Sequence, residues 1–348
     1  MRYFSLLTGM LSLFAAGCTS YDNHPVTDAQ LRYNVEPFVI QGTAKHSPFS
    51  VLDFRTESPF ALITARTTFT PAYLSSATFS AYVNGKYDST FTLTKTNQAE
   101  KFRLNLPGAG AKQVELVEGK QQNALEKGTL EFTSLTGVEL PTGASYALLP
   151  PARKPAGLFV FADSRGHGGG YPAGSRFAWP VQLRALRPAM AVYVGGYSSL
   201  QLVAHINTPA KRTQLTRAAQ RALGPHVTQV MWIETGVNDY FNAIYTPAQL
   251  QDFYRLWLQE LHQALPRLRI VVQTDVVRKD ESANKLGFTP QDYRNAEAAA
   301  GAGLPYAQVQ DGRPLTTVAQ LPDGTHLSSE ADTRFASEVD SILVKAIN

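Results

Sequence analysis

The sequence predicts an α/β protein: a three-layer α/β/α parallel sheet preceded by a smaller all-β sandwich of jelly-roll type. Three observations carry this. Residues 31–149 alternate apolar and polar side chains with period two and show almost no helical periodicity. Pro150, Pro151 and Pro155 then punctuate the chain, a composition that suits neither helix nor central strand. Beyond them, short apolar runs interleave with helical patterns, as in a parallel sheet covered on both faces.

The chain has 348 residues, enough for two domains, and its 44% apolar and 17% charged content is that of an ordinary folded protein. The formal net charge of +4 is small, and the basic residues are scattered. No block resembles a nucleic-acid arm, so no nucleic-acid partner is expected.

At the N-terminus, Arg2 precedes an apolar run from Tyr3 to Phe14 that is too short to span a bilayer. The run ends in Ala15, Ala16, Gly17 and Cys18, which resembles a bacterial lipobox, although Ala15 stands where Leu is usual. The resemblance implies that residues 1–17 are a signal peptide and that Cys18 is lipidated. The alternative is an ordinary secretory signal with a chance cysteine; the only cysteine of the chain falling at this place favours the lipobox. Export to the bacterial cell envelope and a membrane anchor are then expected. Thr19 in place of Asp, by analogy with that lipoprotein class, implies outer-membrane sorting if the cell is Gram-negative. Residues 18–30 are polar and read as a tether, and a body without cysteine forms no intramolecular disulfide.

In the sandwich (31–149), Thr78–Val83, Asn84-Gly85 and Lys86–Leu93 predict a hairpin, since Asn-Gly suits the tight turn whose twist matches its strands. Phe102–Leu106 and Val114–Glu118 alternate as half-buried strands do. Phe132–Leu140 reads as a further strand broken at Gly137. After the linker (150–156), the domain at 157–348 offers strands at Leu158–Phe161, Ala191–Val194, Val230–Ile233 and Ile270–Gln273. Helices are expected near 175–187, 209–223 and 247–265, and two more, near 290–301 and 328–346, after the last strand.

Ser164 ends the first of these strands, where ligands bind in open α/β sheets. As a nucleophile it needs a base, a group to orient the base, and donors for an oxyanion. Three later segments offer them. Gly195 and Gly196 after the second strand let backbone amides approach a ligand, or form a plain turn. Gly236-Val237-Asn238-Asp239 puts an amide donor at a strand end, or is a common Asn/Asp turn. Asp323-Gly324-Thr325-His326 can bond one imidazole nitrogen and leave the other for serine.

Together and in this order, these segments resemble the blocks of the SGNH (GDSL) hydrolase family over residues 157–348. Ala162 stands where that family has Gly before Asp-Ser. The resemblance implies Ser164 as nucleophile, His326 as base and Asp323 as its orienter. The implied oxyanion donors are the amide of Ser164, the Asn238 side chain and a backbone amide of the 194–199 loop. Gly196 and Ser199 are alternative positions for that amide, Gly196 being preferred. A β-domain, a proline linker and an SGNH domain in this order further resemble carbohydrate esterase family 2. That implies hydrolysis of O-acetyl esters on polysaccharide or oligosaccharide, as an acetylxylan esterase does. An envelope lipolytic esterase, lysophospholipase or thioesterase with the same triad is the alternative, and a non-catalytic glycan-binding lipoprotein a further one.

No metal or other cofactor is expected, because the seven histidines show no ligand spacing. The glycine-rich run after Ser164 lacks the Lys-Ser/Thr of a phosphate loop. His167 reads as a loop or substrate-rim residue, Tyr197 and Tyr240 as possible sugar contacts, Trp179 and Trp232 as core, and Asp239 as a structural loop residue.

Overall fold

A computed structural model describes residues 20–25, 51–68, 77–95, 98–118, 132–149, 154–166, 178–196 and 200–347. Cys18, His167, Tyr197 and Ser199 lie outside the described residues.

Two antiparallel sheets form the N-terminal part. One has the order β1 (Tyr21–Pro25), β8 (Phe132–Pro141), β3 (Phe60–Thr68), β6 (Ala99–Asn105). The other runs β5 (Lys86–Leu93), β4 (Ala77–Val83), β7 (Lys112–Glu118), β2 (Val51–Thr56), β9 (Ala147–Leu148). The alternate residues Leu52 and Phe54, Ala61 and Ile63, Phe79 and Ala81, and Val114 and Leu116 fill the space between the sheets. The hairpin turn is as expected: Asn84 (φ 52°) and Gly85 (φ 76°) are both left-handed. The break read at Gly137 is a bulge. Thr64 pairs with Gly137 and Ala65 with Leu135, which leaves Thr136 over.

The expected tether over 18–30 needs correction. Tyr21–Pro25 is a strand paired with Gly137–Pro141. Its polar residues are held by local contacts: Asp22 accepts the Gly143 N–H at 3.0 Å, and His24 stacks on Tyr146 with centroids 4.0 Å apart. A half-exposed edge strand needs few apolar residues, so its pattern resembles a linker.

The C-terminal part is a five-stranded parallel sheet. Its order is β11 (Met190–Gly196), β10 (Ala156–Ala162), β12 (Thr228–Glu234), β13 (Leu268–Gln273), β14 (Ala307–Gln310). Leu158, Val160 and Ala162 of β10 pack towards α1 (Trp179–Leu186) and α7 (Ser329–Ile347). Phe159 and Phe161 face the opposite layer of α2 (Leu202–Ile206), α3 (Pro209–Leu223), α5 (Pro247–Ala264) and α6 (Pro290–Gly301). Burial on both faces explains the nearly unbroken apolar strands. Strand β14 went unread in the sequence because it is a four-residue edge strand with two glutamines. Arg184 of α1 pairs with Glu115 of β7 at 3.3 Å, so the sandwich rests against this domain.

Chain order reverses at β10, whose neighbours β11 and β12 lead in opposite directions across the sheet. The crevice beyond its C-terminal end is where such sheets bind ligands, and Ser164 stands there.

Candidate active site

Parallel register sets the site. Ala162 lies level with Gly196 on one side and Glu234 on the other. The chain then turns through Asp163, Ser164 and Arg165 to Gly166. A Cβ on Gly166 would come within 2.3 Å of the Ala162 Cβ, so the turn closes over Ala162 only because residue 166 has no side chain. Arg165 N–H donates to Asp163 Oδ1 at 3.1 Å and fixes the turn. Ser164 is left 9% exposed at its tip.

The loop at 323–326 reaches this serine from the far end of the chain. Gly324 (φ 85°) makes the tight turn, and Asp323 Oδ1 accepts the N–H groups of Thr325 (2.9 Å) and His326 (2.7 Å). Asp323 Oδ2 lies 2.6 Å from His326 Nδ1, and His326 Nε2 lies 2.8 Å from Ser164 Oγ. A carboxylate only accepts, so Nδ1 carries the proton and Nε2 is free to accept the serine O–H. Burial pushes the Asp323 carboxyl up. The His326 and Thr325 N–H groups and the His326 ring outweigh this and hold it below its ordinary value. Ser328 Oγ accepts the Ala331 N–H at 3.3 Å and starts α7 directly behind the loop.

On the other side, Gly236 (φ 114°) starts the short helix α4 (Val237–Asn242). Asn238 Nδ2 points to Asp163 Oδ2 at 3.5 Å, next to Ser164 in the turn. Asp239 is buried and accepts the N–H groups of Leu202 (2.7 Å) and Val203 (3.0 Å). It therefore ties the Asn238 turn to the start of α2, as the structural reading expected. Burial pushes its carboxyl up to about 7 against those two bonds.

Tyr240 takes a different place from the expected sugar contact. It is 5% exposed and donates its hydroxyl to Ser282 O at 2.8 Å. One helical turn carries Asn238 towards Ser164 and therefore points residue 240 away, into the wall. Trp179 and Trp232 are both fully buried, as read.

Beneath the serine lies a buried charge cluster that the sequence reading missed. Arg165 Nη1 donates to Asp275 Oδ1 at 2.7 Å, and its Nε lies 3.4 Å from Glu234 Oε1 and 3.6 Å from Asp163 Oδ1. Trp179 Nε1 donates to Glu234 Oε2 at 2.8 Å. Asp275 also pairs with Arg278, and its N–H donates to Glu297 Oε2 at 2.8 Å. Burial pushes Asp163 up, Glu234 up to about 7, and Glu297 well up. Asp275 is pushed up by burial too, but Arg278 and Arg165 prevail and hold it low. The signal was available: Glu234 closes an otherwise apolar strand, and Asp275 follows another by two residues.

Residues 158–339 match the family described as GDSL-like Lipase/Acylhydrolase. Comparison with curated proteins gives no match. Among solved structures the chain is similar to the salicylyl-acyltransferase SsfX3 from a tetracycline biosynthetic pathway. The identity is 17% over 94% of this chain and 99% of that one, with a TM-score of 0.72. It is also similar to a family two carbohydrate esterase from Cellvibrio japonicus: 12% identity, 94% and 98% coverage, TM-score 0.62. An acetyl xylan esterase (Est2A) from the rumen bacterium Butyrivibrio proteoclasticus gives 10% identity, 93% and 98% coverage, and a TM-score of 0.62. At such identities the likeness is one of fold, and it extends over both the sandwich and the parallel-sheet domain.

Proposed function

This chain belongs to the GDSL-like lipase/acylhydrolase family and is a carboxylic-ester hydrolase, and from that premise we propose that it removes O-acetyl groups from carbohydrate through Ser164, His326 and Asp323. One observation carries the assignment: His326 touches Ser164 Oγ at 2.8 Å with one ring nitrogen and Asp323 at 2.6 Å with the other.

That reading implies the following steps. Ser164 Oγ adds to the ester carbonyl as its proton passes to His326 Nε2, and Asp323 stabilises the imidazolium. The carbonyl oxygen becomes an oxyanion met by the Ser164 amide, the Gly196 amide and the Asn238 side chain. Collapse expels the sugar alkoxide, which takes the proton from His326 and leaves acetyl-Ser164. Water then adds to the acetyl carbon, giving one proton to His326; Oγ recovers that proton as it leaves, and the acetic acid released loses its remaining proton to solvent to become acetate.

A carbohydrate O-acetyl substrate is supported by the family two carbohydrate esterase and acetyl xylan esterase among the structural neighbours. Ser164→Ala should abolish p-nitrophenyl acetate hydrolysis; retained activity would remove the serine from its role. A panel of acetylated xylan, mannan and pectin oligosaccharides against medium- and long-chain acyl esters tests the substrate, and preference for long chains overturns the deacetylase reading. Cys18 is read as the lipid anchor of an envelope protein with its signal peptide at 1–17. Palmitate incorporation that survives Cys18→Ser sinks that reading.

A further inference from the structure

The helix that carries Asn238 also presents a ring to solvent. Phe241 is 54% exposed and Ile244, just beyond the helix, 60% exposed. The sequence offers Tyr240 as a possible sugar contact; the structure buries that ring and exposes its neighbour. We propose that Phe241, with Ile244 at its edge, is the stacking surface for a pyranose ring adjacent to the acylated sugar, a subsite that rests on the carbohydrate-esterase reading.

Two routes link Phe241 to the serine turn. It stands three residues after Asn238, a spacing that puts the two Cβ atoms about 5–6 Å apart on one helix face, and Asn238 itself reaches Asp163. Independently, the Arg278 guanidinium lies 4.7 Å from the Phe241 ring centroid. Arg278 is ion-paired with Asp275, which holds Arg165, the residue after Ser164. The scaffold that sets the nucleophile turn thus also sets this ring.

The ring is fixed before any ligand arrives. Arg278 is buried and also lies 4.7 Å from the Tyr240 ring, while Tyr240 packs on Phe241 with centroids 5.3 Å apart. A ring so held loses little freedom on binding. Its occupant follows from its surroundings. An acyl chain needs a trough that encloses it, whereas Phe241 and Ile244 stand open to water. A pyranose suits such a surface: its C–H face covers the ring while its hydroxyls stay hydrated.

The measurement is the ratio of kcat/KM for acetylated xylotetraose to that for p-nitrophenyl acetate. Phe241→Ala is expected to lower this ratio roughly tenfold, mainly through KM on the oligosaccharide. Phe241→Trp, which restores a flat ring, should bring it back. An unchanged ratio in Phe241→Ala overturns the subsite. So does a loss confined to p-nitrophenyl octanoate, which would make the surface an acyl platform. If the wild type turns over p-nitrophenyl acetate but no acetylated oligosaccharide, the substrate reading itself fails and the subsite with it.

Discussion

Arg165, the residue after Ser164, donates Nη1–H to Asp275 Oδ1 at 2.7 Å, and both side chains are at most 3% exposed. Three strand ends meet on this one guanidinium, because Asp163 follows β10, Glu234 closes β12 and Asp275 follows β13. The serine turn is thus clasped from below by charge as well as by backbone bonds.

Removing one partner of a buried ion pair leaves the others uncompensated, at about 3–5 kcal/mol. Arg165→Met should therefore destabilise the protein by that order in denaturant unfolding. Asp275→Asn should lose at least as much, since it takes the shared carboxylate from both Arg165 and Arg278, and a buried guanidinium cannot shed its charge. A midpoint for Arg165→Met equal to the wild type would show that the clasp adds no stability.

Glu234 gives that clasp a pH dependence. Burial raises its folded-state pKa from 4.5 to about 7. A carboxyl raised in the fold contributes stability that is complete below its unfolded pKa and is lost as pH rises through the folded value. Glu234→Gln cannot ionise and still offers an amide oxygen to Trp179 Nε1–H. Between pH 4.5 and 7 the variant should gain on the wild type by on the order of 2 kcal/mol. Chemical unfolding across that range checks the sign, and a constant difference between the two proteins excludes the effect.

Strong local signals made the fold legible in the sequence. The Asn84-Gly85 turn, the proline linker and the apolar strands of the parallel sheet each follow from one stretch of chain. The edge strands β1 and β14 escaped because they are short and polar. The site divides in the same way. The contacts of His326 with Ser164 and Asp323 could be read ahead because each residue sits in a short motif at a strand end or before a helix. The Arg165 cluster depends on register across three strands, which no single stretch of sequence records. Tyr240 and Phe241 differ only in which way a helical turn points, and aromatic character alone does not determine that.

Asn238 tests the oxyanion assignment apart from the triad. Asn238→Ala should reduce kcat by about 10²–10³ with little change in KM, the effect of losing one donor used only in the transition state. Asp239→Ala frees the N–H groups of Leu202 and Val203 and loosens the same turn, so it should lower stability as well as kcat. A rise in KM alone for Asn238→Ala would move the residue from transition-state stabilisation to ground-state binding.

Gly236 is where that turn has no room for change. Its φ of 114° belongs to the region that side chains rarely adopt, and a Cβ there would lie 1.7 Å from Glu297 Oε1. Glu297 is itself buried, with its other oxygen accepting the Asp275 N–H, so it has little freedom to withdraw. Gly236→Ala therefore combines backbone strain with overpacking and should destabilise by about 3 kcal/mol or more. Because Asn238 follows two residues later, kcat should fall with stability. Glu297→Ala opens the space without relieving the backbone, so the double variant should recover part of the lost stability, and unfolding midpoints of the four proteins give the coupling. Additive losses would mean that Glu297 does not press on this glycine, and that the left-handed backbone alone requires it.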